Sequence, residues 1–303
     1  MHEPMEAYMR LGIVHFMAFP ELASGAGPWE ETVRQIALDP FFHAIEITHI
    51  EDSQARERVK DLIHMAHMGL GYAAHPTILG HGLDINALEE EGRKQACETL
   101  RECLDEAITM GAETFLILSG KDPGAEKREK AVEALIVSLG ELCEYAASKG
   151  GPKIVVEAFD TEVDKCCLLG PSSLAKEVAQ EVEKNHSNFG LLVDLSHIPL
   201  LKQTPQEALV PVKEHLVGIH LGNAVTDPAY PGYGDNHPAF GTPGGVNDVP
   251  EVAEFLRTLL ETGFLDGKSR PIVSFEIKPM EGQDSAVVIA NAKRVVTQAW
   301  AMV

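Results

Sequence analysis

The chain of 303 residues carries a formal net charge of −21, from 25 basic and 46 acidic side chains. An acidic surface repels a nucleic-acid backbone, and the sequence has no cluster of Lys and Arg that would form a basic groove, so we expect no nucleic-acid partner. Its apolar stretches are much shorter than the roughly 20 residues that a membrane-spanning helix requires, so we also expect no membrane protein.

Short apolar runs rich in β-branched residues alternate along the chain with longer segments of helical periodicity. The predicted strands are residues 10–18, 44–50, 69–75, 114–119, 153–159, 190–196, 217–222 and 272–278. The predicted helices are residues 28–38, 53–68, 86–110, 125–148, 172–185, 205–215, 249–262 and 285–302. Strand and helix therefore alternate eight times, which is typical of a parallel sheet with right-handed crossovers.

Residues at the ends of the predicted helices agree with this assignment. Asp84, Thr204 and Asp248 are candidate N-caps, and Gly111 stands where a helix ends. The count of eight strand–helix units favours closure into a barrel, and no Gly-x-Gly-x-x-Gly motif of a dinucleotide-binding sheet follows the first strand. We therefore expect an α/β fold, a (β/α)8 TIM barrel in which residues 1–303 form a single domain.

The amino terminus and the cysteines both suggest a cytoplasmic protein. Residues 1–10 are polar and acidic, and they lack the apolar core of a secretory signal peptide. The five cysteines form no Cys-x-x-Cys pair, and the adjacent Cys166 and Cys167 have poor geometry for a disulfide bond or a shared metal. Reduced thiols in the cytoplasm are the simplest interpretation.

Four consecutive predicted strands, the fifth to the eighth, each place an ionisable residue directly after an apolar run. These residues are Glu157, Asp194, His220 and Glu276. In a barrel of this kind the active site lies at the C-terminal ends of the strands, where buried carboxylates need a partner or a metal. Three carboxylates and one imidazole predict a single divalent ion, with Mn²⁺ preferred and Co²⁺, Mg²⁺ or Zn²⁺ as alternatives.

Short motifs at the strand ends form a recognisable set: Ala74-His75-Pro76, Val155-Val156-Glu157, Asp194 followed by His197, Ile219-His220-Leu221 and Phe275-Glu276. Taken together, these motifs resemble the xylose isomerase-like family, which includes ketose 3-epimerases, hydroxypyruvate isomerases, inosose dehydratases and the endonuclease IV group. The resemblance covers the whole chain. It implies that the four strand-end residues bind the metal, that His197 contacts substrate or a second metal, and that the protein forms a homo-oligomer.

Some residues resemble the endonuclease branch and others depart from it. Asp235-Asn236-His237 and His75 match zinc-binding residues of that branch, but Ser119 ends the fourth strand where the branch carries a histidine. A full three-zinc centre is therefore not expected, and His237 is a candidate for contact with metal, substrate or solvent. No Arg or Lys occurs between residues 221 and 249, where many ketose epimerases carry an arginine.

Further polar residues are candidates for lining the pocket. Glu46 on the second strand either lines the pocket or belongs to a buried ion pair, and His15 on the first strand lines the pocket or lies inside the wall. Lys278, two residues after Glu276, anchors a substrate oxygen or forms a salt bridge to Glu157 or Glu46. The expected substrate contacts are His75, His197, Glu46, His237 and Lys278.

The predicted reaction is isomerisation or epimerisation of a sugar or related polyhydroxy carbonyl compound through an enediolate. Glu157 and Glu276 are the predicted proton-transfer pair, with His197 as the alternative base. A lyase of the same fold, such as an inosose dehydratase or an enzyme that eliminates from 3-keto-glycosides, is the alternative, and an endonuclease IV-like nuclease is less favoured. The irregular segment 223–247, rich in Gly and Pro, is predicted to cover the substrate.

Overall fold

The computed structural model describes residues 3–303 as strands that alternate with helices. The strands are β1 (Arg10–Ile13), β2 (Ala44–Ile47), β3 (Gly69–Ala73), β4 (Thr114–Leu118), β5 (Lys153–Glu157), β6 (Phe189–Asp194), β7 (Leu216–Leu221) and β8 (Ile272–Phe275). The α-helices are α1 (His15–Ala18), α2 (Trp29–Ala37), α3 (Ser53–Met65), α4 (His75–His81), α5 (Glu90–Met110), α6 (Arg128–Ser148), α7 (Ser172–Glu183), α8 (His197–Leu200), α9 (Pro205–Leu209), α10 (Val249–Glu261) and α11 (Ser285–Trp300).

All strands belong to one parallel sheet in the order β1-β8-β7-β6-β5-β4-β3-β2. The first strand pairs with the last, so that Arg10 lies opposite Ile272. Between β1 and β2, within the described residues, the ladder is reduced to an isolated bridge from Val14 to Glu46. The sheet is thus a nearly closed barrel surrounded by helices, and the predicted (β/α)8 TIM barrel is confirmed.

Side chains on both faces of the strands are buried, because helices cover the outside of the barrel. Every residue of β2, β3 and β6 is buried. At the N-terminal ends of the strands the barrel is not filled, and a cavity of about 200 Å³ lies there. Arg10, Glu113, Lys153 and Gly218 line this cavity, and Glu46 also contributes to its wall. The filled part of the barrel therefore lies towards the C-terminal ends of the strands.

Two of the three predicted helix N-caps are confirmed, and one is wrong. Thr204 and Asp248 each form a capping box with the Glu three residues later, as predicted for N-caps. The predicted cap at Asp84 is wrong, because α5 begins at Glu90 and Glu89 accepts the capping hydrogen bond from Gly92. Asp84 instead accepts a hydrogen bond from the backbone of Asn86 and stabilises the turn before the helix.

Several predicted boundaries are wrong, each for an identifiable reason. The first strand ends at Ile13, and the apolar residues after it form α1, since a short apolar run does not by itself distinguish strand from helix. The predicted helix 205–215 stops at Leu209, where a 3-10 turn over Val210–Val212 contains Pro211. α4 begins at His75, where the sequence predicts the end of the third strand and no helix. No helix within residues 3–303 has the length and apolar character needed to cross a membrane.

Candidate metal centre

The four predicted ligands converge at the C-terminal ends of their strands. Glu157 and Asp194 are the last residues of β5 and β6, His220 is the last but one of β7, and Glu276 directly follows β8. One side-chain atom from each residue lies within 4.8 Å of the corresponding atom of every other, and all four residues are buried. Parallel strands that end at one rim of a barrel place the residues after their apolar runs together in this way.

Distances and unsatisfied atoms of this cluster fit a divalent cation. The Nδ1 atom of His220 lies 2.7 Å from Glu276 Oε2, 3.8 Å from Glu157 Oε1 and 4.0 Å from Asp194 Oδ2. Among the described residues, Glu157 Oε1 and Asp194 Oδ2 have no hydrogen-bond partner. A buried polar atom without a partner costs about 1–3 kcal/mol, and more when it is charged. Oxygens left free around one imidazole nitrogen are the ligands that such an ion takes.

The pKa shifts show which charges the protein itself compensates. Burial raises the pKa of Asp194 to about 7, so its ionised form is under-compensated by its neighbours. Burial also opposes ionisation of Glu276, yet the nearby His237 and His220 hold the pKa of this carboxyl well below its usual range. Burial likewise disfavours a charged His237, but Glu276 and Asp235 raise the pKa of this histidine to about 9. A cation beside Asp194 would supply the missing positive charge.

A second cluster adjoins the first and shares one residue with it. Asp194, His197 and His237 form a buried group whose side-chain atoms are also close enough to hold an ion. Asp235 joins the two histidines, since its Oδ1 lies 3.1 Å from His197 Nε2 and 2.8 Å from His237 Nε2. Lys165 approaches the other oxygen of Asp235, with Nζ 3.3 Å from Oδ2. A positive charge of the chain therefore already lies at this cluster.

Of the alternatives for His237, contact with bulk solvent is excluded by its burial. His237 is only 1% exposed, because the segment after β7 folds inward over the site and carries this residue with it. Ser119 on the loop after β4 is also buried, and its hydroxyl accepts a hydrogen bond from the backbone of Leu169 at 2.9 Å. This hydroxyl therefore stabilises the neighbouring loop.

His75 and Glu46 both lie against the ligand cluster. The Nε2 atom of His75 is 3.2 Å from Glu157 Oε2. Glu46 is 3% exposed and pairs with His220, whose Nε2 lies 2.9 Å from Glu46 Oε2. The second oxygen of Glu46 accepts a hydrogen bond from Ser274. Both oxygens of Glu46 are thus engaged inside the barrel, which matches the buried ion pair among the two alternatives for this residue.

For two residues at the edge of the site the structure excludes one of the two alternatives. Lys278 lies beyond the end of β8, so the strand period no longer applies, and within residues 3–303 its side chain forms no ion pair with Glu157, Glu46 or any other carboxylate. Only its backbone N–H is engaged, with the carbonyl of His237 at 2.7 Å. His15 is fully buried between Phe19 and Trp29 instead of lining the pocket.

Two residues of the site were not anticipated from the sequence. Ser274 has no distinguishing motif, since it is a small polar residue inside an apolar strand. Lys165 lies in a loop ordered by Asp160, whose carboxylate accepts hydrogen bonds from the backbone of Val163, Asp164 and Lys165. An acid followed by polar residues signals such a turn, but its approach to Asp235 depends on tertiary structure.

Comparison with known proteins agrees with the architecture. The model of the family described as xylose isomerase-like TIM barrel matches residues 34–293. No curated protein matches the sequence. A D-tagatose 3-epimerase-like protein of known structure is 19% identical, with a TM-score of 0.71 over 97% of this chain and 99% of that chain.

Two further solved structures share the fold. The structure of IOLI protein with a binding zinc atom is 16% identical, with a TM-score of 0.73 over 96% of this chain and 98% of that chain. The 3-keto-D-glucoside 4-epimerase YcjR from E. coli is 16% identical, with a TM-score of 0.67 over 95% and 99%. The family model covers most of the sequence, so the chain belongs to the xylose isomerase-like TIM barrel family.

Proposed function

We propose that the protein is a metal-dependent isomerase or epimerase of a sugar or related polyhydroxy carbonyl compound. The observation that carries the proposal is the convergence of Glu157, Asp194, His220 and Glu276, with carboxylate oxygens left without partners among the described residues. Similar structures include proteins named as sugar epimerases, which supports this reaction class. The substrate is a small molecule, and the net charge of −21 argues against a nucleic-acid partner.

The proposed cofactor is one divalent ion held by these four residues. Three carboxylates and one imidazole favour Mn²⁺, while Co²⁺, Mg²⁺ and Zn²⁺ remain alternatives. One similar structure, of IOLI protein, has a binding zinc atom. When bound, the ion would supply Lewis-acid polarisation of a carbonyl and an adjacent hydroxyl, which acidifies the α-proton of the substrate.

Glu157 and Glu276 are the proposed proton-transfer pair. They stand at the ends of β5 and β8 and so approach a substrate from different sides. One carboxylate takes the proton α to the carbonyl, which leaves an enediolate. The other carboxylate returns a proton to the opposite face, or to the neighbouring carbon. The first outcome is epimerisation and the second is isomerisation.

His197 is better suited to binding than to acting as the base. Its Nδ1 lies 2.9 Å from the carbonyl oxygen of Ala158, and its Nε2 lies 3.1 Å from Asp235 Oδ1. Both partners are hydrogen-bond acceptors, so the ring carries a proton on each nitrogen. The same carboxylate keeps the pKa of His197 well above its usual value despite burial. An imidazolium of this kind supplies positive charge beside the site and has no lone pair with which to accept a proton.

A lyase is the second candidate function. Loss of a β-substituent from the same enediolate gives elimination instead of epimerisation. The absence of Arg and Lys between residues 221 and 249 favours this alternative, because it departs from the ketose epimerase pattern. The fate of the enediolate is therefore decided by the substrate and by the groups that surround its distal end.

Deuterium exchange tests the proposed reaction class. Protein loaded with Mn²⁺ is incubated in D2O with a panel of ketoses, inososes and 3-keto-glycosides, and incorporation at the α-carbon is followed by NMR. Deuterium incorporation without loss of the β-substituent indicates isomerase or epimerase activity. Release of the β-substituent indicates a lyase. Chelator-treated protein is the control. A complete panel without deuterium incorporation by loaded protein would contradict the proposal.

We further propose that the protein works in the cytoplasm as a homo-oligomer. All five cysteines are free thiols, and burial raises the pKa of the Cys143 and Cys167 thiols to about 12. These two thiols are therefore inert at neutral pH.

Sedimentation equilibrium at micromolar concentration tests the proposed homo-oligomer. A purely monomeric distribution would contradict this proposal.

A further inference from the structure

The inner side of the candidate metal centre contains a relay of three polar side chains from different strands. His220 on β7 directs Nδ1 towards the three ligand carboxylates, and its Nε2 towards the interior of the barrel. Glu46 on β2 lies there, with Oε2 2.9 Å from that Nε2. Ser274 on β8 donates a hydrogen bond to the second oxygen of Glu46. All three residues are at most 3% exposed.

Two glycines provide the space that this relay occupies. A Cβ at Gly71 would lie 2.8 Å from Cγ of Glu46, and a Cβ at Gly12 would lie 2.5 Å from the hydroxyl oxygen of Ser274. Real Cβ atoms essentially never lie closer than 3.0 Å to a non-bonded heavy atom. Barrel interiors are usually filled by bulky branched side chains, and glycine weakens a strand. At these two positions no side chain fills the barrel interior, which leaves room for Glu46 and Ser274.

Hydrogen bonding at Nε2 of His220 determines whether its Nδ1 can coordinate a metal ion. A carboxylate beside Nε2 keeps a proton on that nitrogen, so Nδ1, which lies among the ligand carboxylates, is the nitrogen that would give up its proton and coordinate a cation. The contact also fixes the plane of the ring, and the negative charge of Glu46 increases the basicity of the ligand nitrogen. Ser274 in turn holds the second oxygen of Glu46 with a hydrogen bond.

We propose that Glu46 is a positioning residue for the metal centre, which orients His220 and increases its strength as a ligand, and that Ser274 holds Glu46 in place. This inference rests on the proposed metal site. It replaces a substrate contact as the role of Glu46, because the carboxylate lies on the far side of His220 from the ligand cluster.

Metal affinity tests this role directly. Glu46→Gln keeps the shape and one acceptor oxygen but removes the charge, and Glu46→Leu removes the acceptor as well. We expect the dissociation constant for Mn²⁺, measured by competition with a chelator, to rise about tenfold in Glu46→Gln and about a hundredfold in Glu46→Leu. Ser274→Ala should give a smaller rise. The visible absorption spectrum of the Co²⁺-loaded protein should change in both Glu46 variants, because the orientation of a ligand changes.

A matched control separates positioning from general damage to a buried ion pair. Glu106 on α5 is also buried, and its Oε2 lies 2.7 Å from Nδ1 of His49, away from the ligand cluster. Glu106→Gln should therefore leave both the Mn²⁺ affinity and the Co²⁺ spectrum unchanged. Circular dichroism of the metal-free variants confirms that each is folded before it is titrated.

Outcomes for the positioning role and for the metal site are distinct. Wild-type protein should bind Mn²⁺, and Asp194→Asn should abolish tight binding. If these two results hold while folded Glu46→Gln and Glu46→Leu keep wild-type affinity and an unchanged Co²⁺ spectrum, the positioning role is overturned and the metal site stands. If the wild-type protein binds no divalent ion, both proposals are overturned.

Discussion

His15 is an unusual buried side chain, because neither of its ring nitrogens has a hydrogen-bond partner among residues 3–303. Its ring lies 5.0 Å from that of Phe19 and 5.3 Å from that of Trp29, measured between centroids. Burial lowers the pKa of His15 from 6.5 to about 3. The folded protein therefore holds this side chain neutral over a pH range in which the unfolded chain binds a proton.

Replacing His15 with Phe should make the protein less sensitive to acid. The depressed pKa means that stability is complete above pH 6.5 and is lost progressively as the pH falls from 6.5 towards 3. At pH 5 the loss from this one group is about 2 kcal/mol of unfolding free energy. Denaturant titrations at pH 7.5 and pH 5 should show a difference smaller by about that amount in His15→Phe. Equal differences in the two proteins would contradict the assignment.

Substitution of the two proposed proton-transfer carboxylates distinguishes them from the nearby histidine. Glu157→Gln and Glu276→Gln should each reduce α-proton exchange by roughly 10² to 10⁴, since a general acid–base group contributes about this factor. His197→Asn should retain measurable exchange and weaken substrate binding instead. Metal content is determined for each variant. If both Gln variants keep metal and wild-type exchange while His197→Asn loses exchange, then His197 is the base.

At the scale of elements, the segment between β7 and α10 combines a fixed base with an exposed tip. The side chain of Asn223 spans the base, with hydrogen bonds to the carbonyl of Ala239 and from the backbone of Asn247. Tyr230 and Tyr233 at the tip are 43% and 41% exposed. The anchored base keeps this segment over the site, and the tip is free to contact a substrate.

Removing the exposed rings should affect catalysis and leave stability almost unchanged. The double variant Tyr230→Ala/Tyr233→Ala keeps Asp235 and His237, which are part of the site. We expect kcat/KM to fall on the order of tenfold, because an aromatic contact contributes roughly 0.5–1.5 kcal/mol. The melting temperature should hardly change, since substitutions of exposed residues alter stability by about 0.5 kcal/mol or less. Unchanged turnover in this variant would exclude a lid.

The sequence predicts strands and helices well where the apolar pattern is long and regular. It predicts them less well at the rim of the barrel, where a short apolar run changes direction. The apolar runs that end in Glu157 and Asp194 locate β5 and β6, because buried parallel strands are continuously apolar. The apolar run after Ile13 predicts a continued strand but forms a helix at the rim, since a strand and a helix would bury the same apolar residues. Positions at strand ends were therefore predictable, whereas contacts such as Ser274 to Glu46 depend on register across the closed sheet.

At the scale of the whole molecule, the proposed metal ion joins the ends of four strands and should stabilise the fold. Carboxylates crowded at one rim repel one another in the metal-free protein. A ligand that binds only the folded state at a hundredfold excess over its dissociation constant adds about 2.7 kcal/mol. Thermal denaturation with Mn²⁺ and with excess chelator should differ on the order of 5 °C. Full activity and an unchanged melting temperature after chelation would contradict a metal centre.

The pairing of the first strand with the last also sets an order in time. During synthesis β1 emerges first, yet its hydrogen-bonded partner β8 follows only when Ile272 has been made. The proposed ligands all belong to β5 and later elements, and Glu276 is the last of them. A nascent chain released or stalled before this point has neither a closed barrel nor a complete ligand set. Truncated products therefore cannot sequester metal ions through this site, and metallation becomes a late step that follows translation of nearly the whole chain.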